Sequence, residues 1–177
     1  MRHTTIEEKQ SAPREKRPKS AAQALQSLMR LCARAEKSSG DALRLMRGWG
    51  VPESEREGVL AKLIEQRFID DRRYAEAFVR DKYRFNKWGR IKIAQGLRMK
   101  GIDNGTVNKA MGVIDETEYL HILRELIKAK RKSIRGKSDY EVNGKLIRFA
   151  IGRGFEFAAI RSCMDVDENY DDSEGWD

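Results

Sequence analysis

The chain has 177 residues, of which 36% are charged and 40% hydrophobic, with a mean hydropathy of −0.72 and a net charge of +8. So lean a composition argues against a single large spherical core, and no apolar run approaches membrane-spanning length or the hydrophobic core of a secretory signal. Cys32 and Cys163 are too few and too far apart for a disulfide framework, so the expectation is a monomeric cytoplasmic protein with buried free thiols and an acidic partner, nucleic acid or protein.

Residues 1–20 (MRHTTIEEKQSAPREKRPKS) are polar, hold two of the three prolines and are read as a disordered basic arm. The stretch ALQSLMRLCARAEK then places Leu25, Leu28, Leu31 and Cys32 on one side of a helix. A second helix ends at Gly50, and Pro52-Glu53 opens a third. The same order recurs. RRYAEAFVRDKYRF carries Tyr74, Phe78, Val79 and Tyr83, a further helix ends at Gly101, and Asp103 stands at the start of another. TEYLHILRELIKAKRK carries Tyr119, Leu123, Leu126 and Ile127, followed by a helix ending at Gly154 and a start near Glu156. The final DVDENYDDSEGWD holds seven acids and no base and is read as a solvated acidic tail.

The glycines fix the repeat. Gly50, Gly101 and Gly154 lie 51 and 53 residues apart, and each is followed by an apolar residue: Val51, Ile102 or Phe155. Four residues earlier stand Met46, Leu97 and Ala150; seven earlier, Leu43, Ala94 and Ile147; ten later, Leu60, Met111 and Met164. A helix ended by a residue free of Cβ in the left-handed turn, with the next apolar residue packed back on it, explains these columns. The predicted fold is therefore all-α: an elongated, curved array of three tandem three-helix, helix-turn-helix-like repeats. Its divisions are the arm 1–20, repeats 21–68, 69–116 and 117–165, and the tail 166–177.

The chain holds no catalytic constellation: His3 and His121 have no cysteine or histidine neighbours at metal spacing, and GRGFEF lacks the Walker lysine-hydroxyl pair. Asp70-Asp71 could hold a metal or act as an acid–base pair, but the favoured reading has one aspartate capping the next helix and the other meeting its dipole. The expectation is a non-enzyme with no cofactor and no metal. Ten Arg and Lys against two acids between Arg72 and Lys100, and ten against three between His121 and Arg153, concentrate the charge in the second and third repeats. Candidate contact residues are Arg72, Arg73, Arg84, Lys87, Trp88, Arg90, Lys92, Arg98 and Lys100, with Lys130, Arg131, Lys132 and Arg135. Tyr83 fits a core face, whereas Phe85 and Trp88 fit either burial between repeats or exposure as stacking or hot-spot groups.

The stretch LIEQRFIDDRRYAEAFVRDKYRFNKWGRIKIAQGLRMKGI, Leu63 to Ile102, resembles the central signature of the bacterial RecX family. The matching features are Ile69-Asp70-Asp71, Tyr74-Ala75, Gly89-Arg90-Ile91 with Ile93, and Leu97 to Ile102. Arg67 departs from a glycine common there, which leaves open whether arginine adopts a left-handed turn. The resemblance implies a small all-α regulator that binds in the groove of the RecA–DNA filament and inhibits its ATPase, strand exchange and co-protease functions. DNA would then be touched weakly or through the filament. A stand-alone helix-turn-helix-like DNA-binding protein is the alternative, and an adaptor for an acidic protein a third.

Overall fold

The computed structural model describes residues 17–136 and 138–164. Most of the expected arm and all of the expected acidic tail lie outside them. The described residues form helices only: α1 (Ala21–Cys32), α2 (Ser39–Gly48), α3 (Glu53–Glu65), α4 (Asp71–Arg84), α5 (Arg90–Met99), α6 (Asn104–Met111), α7 (Glu116–Arg131), α8 (Asp139–Gly152) and α9 (Phe157–Met164). Helix packing groups them as α1–α3, α4–α6 and α7–α9, so the chain is an all-α array of three-helix units.

Short polar side chains start most of these helices by accepting an otherwise unpaired N–H. Asp70 accepts from the Arg73 N–H at 2.9 Å, Asp103 from Thr106 at 3.0 Å and Asp115 from Glu118 at 2.8 Å. Ser20 and Gln23 form a reciprocal capping box on α1. The middle helix of each unit ends in one turn geometry. Gly50, Gly101 and Gly154 have φ of +70°, +78° and +86°. The N–H groups of Val51, Ile102 and Phe155 reach back to the carbonyls of Met46, Leu97 and Ala150 at 3.0, 3.2 and 3.2 Å. That bond buries the apolar residue after each glycine. The end of α3 repeats the turn without glycine: Arg67 sits at φ 57° and the Phe68 N–H reaches the Leu63 carbonyl at 2.9 Å.

The core-facing stripes sit slightly off those expected. On α1 the stripe centres on Ala24 and Leu28, with Leu25 and Cys32 beside it and Leu31 outside. On α4 it is Ala75, Val79 and Tyr83, with Tyr74 and Phe78 at its margin; on α7 it is Tyr119, Leu123 and Ile127, with Ile122 added. The two cysteines are free but half-buried rather than fully enclosed. The first unit has its own core, including Leu28, Met46, Val51, Leu63 and Ile69, whereas one continuous core runs through the second and third units.

The units meet through a recurring joint. In the second unit, the carbonyl just before the turn glycine, Lys100, accepts from the buried Ser38 hydroxyl at 2.7 Å. In the third, the Arg153 carbonyl accepts from the Gly89 N–H at 2.9 Å. Ser38 and Gly89 are the N-cap residues of α2 and α5, so each middle helix seats its start on the turn of the next unit. The approach is backbone on backbone. A Cβ on Gly40 would lie 2.9 Å from the Gly101 Cα and overlap the Lys100 carbonyl; one on Gly89 would overlap the Gly154 carbonyl and the Phe155 nitrogen. At the first unit's turn Pro18-Lys19 takes that role: the Lys19 N–H donates to the Trp49 carbonyl at 2.9 Å, and Pro18 covers Gly50.

Candidate binding face

Several of the candidate cations are engaged in these joints. Arg73, on α4, donates to both oxygens of Glu36 at 2.8 and 3.1 Å, and the Lys100 amine lies 3.2 Å from Asp41. Asp71, besides standing in the first turn of α4, accepts from the Ser39 N–H at 2.8 Å, so it also caps α2 across the first joint. At the second joint Arg84 and the Tyr83 hydroxyl both donate to Glu118, at 2.9 and 2.8 Å.

Arg90 is the most connected of them. Its guanidinium bonds Glu116 and Glu156 and lies 4.2 Å over the Tyr119 ring, while its backbone N–H donates to the Tyr119 hydroxyl at 3.0 Å. That hydroxyl donates in turn to Glu156 at 2.6 Å. Burial opposes the Arg90 charge, but the bonds to Glu116 and Glu156 outweigh it and hold the guanidinium above its ordinary pKa. Burial, then the bond to Glu156, pushes the Tyr119 phenol up, so it stays a neutral donor. These groups hold units together.

What remains is a strip of cations and rings that crosses the second joint. The α4–α5 loop turns at Lys87, which adopts φ 56° and sends its amine to the Arg84 carbonyl, and the Trp88 N–H closes the loop on the Lys82 carbonyl at 3.0 Å. Phe85 is left 78% exposed. Lys82 and Lys92 stand 5.2 and 4.9 Å from the centre of the half-buried Trp88 ring. From this loop the Asn86 carbonyl accepts from Arg153 at 3.1 Å. Arg153 and Lys130 lie 5.5 and 5.1 Å over Phe149. None of Lys82, Lys87, Lys92, Lys130 and Arg153 is in an ion pair among the described residues. Their charges are held against rings and carbonyls, which leaves them available to an anionic partner.

The strip brings together Lys87, Trp88, Lys92 and Lys130 from the expected set. The other candidates lie apart. Arg72 pairs with Glu76 on one exposed helix face, Arg98 with Asn104, and Arg131 with Asn143. Arg135 turns onto the Lys132 and Ile134 carbonyls, and Lys132 follows α7 as its exposed C-cap. Lys82, Phe149 and Arg153 were outside the candidate set. Only the joint brings Phe149 and Arg153 to the loop, and their signal in sequence was no more than a cation and an aromatic near the third turn glycine. Among the described residues no group of His, Cys, Asp or Glu could hold a metal, and no helix is long and apolar enough to cross a membrane.

Comparison with known proteins identifies the scaffold. Residues 70–111 match the family model "RecX, second three-helix domain" and residues 116–164 match "RecX, third three-helix domain", the spans of α4–α6 and α7–α9. A "Regulatory protein RecX" from Clostridium acetobutylicum is 31% identical over 112 residues, covering 61% of this chain and 51% of that relative. The chain thus spans about half the length of several curated relatives. One from Neisseria gonorrhoeae is 30% identical over 125 residues, covering 68% of this chain and 76% of the relative. Two crystal structures share the fold. One titled as regulatory protein RecX has a TM-score of 0.76 at 22% identity, covering 82% of this chain and 72% of its own. The other, RecX from Lactobacillus salivarius, has 0.74 at 20% identity, covering 82% and 94%. With two consecutive three-helix modules matched in order and a relative followed over three quarters of its length, the chain belongs to the RecX family.

Proposed function

We propose that this chain is a non-catalytic regulator that lies in the groove of the RecA filament on DNA. There it restrains ATP hydrolysis, strand exchange and co-protease activity. The observation that carries this reading is the cation–ring strip joining the second and third units, Lys82, Lys92 and Trp88 through Arg153 to Phe149 and Lys130. Family membership supplies the partner, and a linear array of rigid units suits a long, repeating binding surface. The strained Lys87 turn costs about 1 kcal/mol or more and displays Phe85 and Trp88, the kind of local strain that collects at binding sites.

A stand-alone sequence reader fits less well. The helix that would enter a DNA groove in the second unit, α6, begins with Asn104, held by Arg98, and Thr106, held by Asp103. Its one cation is Lys109, near its end, so base-reading groups are scarce there.

The test is co-sedimentation of the chain with RecA filaments, using charge reversal of Lys82, Lys92, Lys130 and Arg153. Retention by the parent and severalfold weaker retention of the variant are expected. Equal retention would remove the strip from the contact, and tight binding to a preferred duplex without RecA would favour the stand-alone reading.

A further inference from the structure

The first unit takes no part in the cation–ring strip, yet it carries a cleft of its own. The cleft holds about 520 Å³ and runs along α2 between Lys37 and Trp49, a size within the usual range of about 300–1,000 Å³ for binding pockets. Leu45, Gly48 and Trp49 form its apolar part, and Lys37, Asp41 and Arg44 its polar part. Gly48 keeps the space open. A Cβ there would meet nothing within 4 Å, and the residue is helical, so neither crowding nor a left-handed turn calls for glycine. Glycine weakens a helix relative to alanine, and no packing contact at Gly48 offsets this.

The charge around the cleft is positive. Asp41 is shared between Arg44 at 3.3 Å and Lys100 at 3.2 Å, so its carboxylate is outnumbered. Lys37 is in no ion pair among the described residues. Lys19 adds a further cation, 3.7 Å over the Trp49 ring. These four cations against one carboxylate favour an anionic partner. The state of Trp49 selects a peptide over a nucleic acid. Lys19 covers one ring face, and the ring packs on the first unit's core. Beside Leu45 and Gly48 it therefore presents an apolar edge, which seats an aliphatic side chain, rather than an open face for stacking a base. Asp41 to Gly48 spans about 10 Å of helix, a distance that an extended peptide covers in roughly three residues.

We propose that the α2 cleft is a docking site for an acidic segment of another protein. An aliphatic side chain of that segment sits on Leu45, Gly48 and Trp49, and the carboxylates flanking it meet Lys37 and Arg44. The proposal stands apart from the RecA reading, because neither the cleft nor its test involves the strip or RecA.

The probe is a synthetic peptide of glutamates and aspartates with one central leucine, added to the full ¹⁵N-labelled chain and followed by NMR. The three tryptophans give three indole N–H signals, each assigned by a Trp→Phe variant. The Trp49 signal should move with peptide while that of Trp88 stays. Binding should weaken severalfold when serine replaces the peptide's leucine, an arm that uses the unaltered chain. Lys37→Glu and Gly48→Glu should each weaken it severalfold as well, with circular dichroism showing both variants folded. A Trp49 signal unmoved at large peptide excess, equal binding of the serine peptide, or equal binding by both variants would overturn the proposal. So would an equal Trp49 shift with a thymidine oligonucleotide, which assigns the cleft to nucleic acid. A Trp49 shift that follows protein concentration without peptide would overturn it too, by assigning the cleft to a second copy.

Discussion

Gly89→Ala isolates the joint between the second and third units. The residue sits at φ −80°, ψ 166°, extended backbone that alanine adopts freely, so torsional strain is not at issue. What changes is the approach of two backbones. The added methyl overlaps the Gly154 carbonyl and the Phe155 nitrogen, neither of which can swing aside as a side chain can. Opening the joint weakens the bonds from the Gly89 N–H to Arg153 and from the Ile91 N–H to Gly154, at 2.9 and 3.0 Å. Two such bonds contribute roughly 0.5–1.5 kcal/mol each, and forced overpacking costs about 1–3 kcal/mol. Poorer capping by alanine adds about 1 kcal/mol at most. The expected loss is roughly 2–7 kcal/mol, a large share of a domain's usual 5–15 kcal/mol. Urea unfolding followed by circular dichroism gives the total, and hydrogen exchange read by mass spectrometry locates the loss in α4–α9. Gly58→Ala is the control: nothing lies within 4 Å of a Cβ there, so this mid-helix change should stabilise by roughly 0.5–1 kcal/mol. A Gly89→Ala protein as stable as its parent would refute the reasoning.

Other outcomes follow from the same contacts. Ser38→Ala removes the cap of α2 and its bond to Lys100 and should cost about 1–3 kcal/mol, with faster hydrogen exchange in α1–α3 while α7–α9 stay protected. Arg67→Gly relieves a left-handed arginine and should raise the urea midpoint by the equivalent of about 1 kcal/mol. Arg84, then Tyr83, holds the Glu118 carboxylate below its ordinary value of 4.5. The folded pKa is the lower one, so this contribution is full above the unfolded value and disappears as pH falls through the folded value. Melting at pH 7 and pH 3 should therefore show a smaller acid-induced drop for Glu118→Gln than for the parent.

The periodic features were legible in sequence because they rest on local chemistry. Glycine at the left-handed turn, an apolar residue behind it, and a cap from the Asp70-Asp71 pair, which the structure assigns to Asp70, are each fixed within a few residues. The resemblance likewise led to the correct family. The candidate contact set was harder to read, because a cation looks the same in sequence whether it faces solvent or a carboxylate 34 residues away, as Arg84 does with Glu118. The joints were not legible either. Ser38 and Gly89 occupy equivalent positions with unlike side chains, and their shared task appears only when the next unit's turn is seated on them. Arg67 shows tertiary context overriding preference: burial of Ile69 and the Phe68 bond to Leu63 hold the turn without glycine.

RecA hydrolysing ATP on single-stranded DNA, titrated with the full chain, tests the central claim most directly. Hydrolysis is expected to fall with fewer than one chain per RecA subunit, because one array laid along a groove would contact several subunits. Undiminished hydrolysis at an equimolar ratio, with the protein shown by circular dichroism to be folded, would contradict the account.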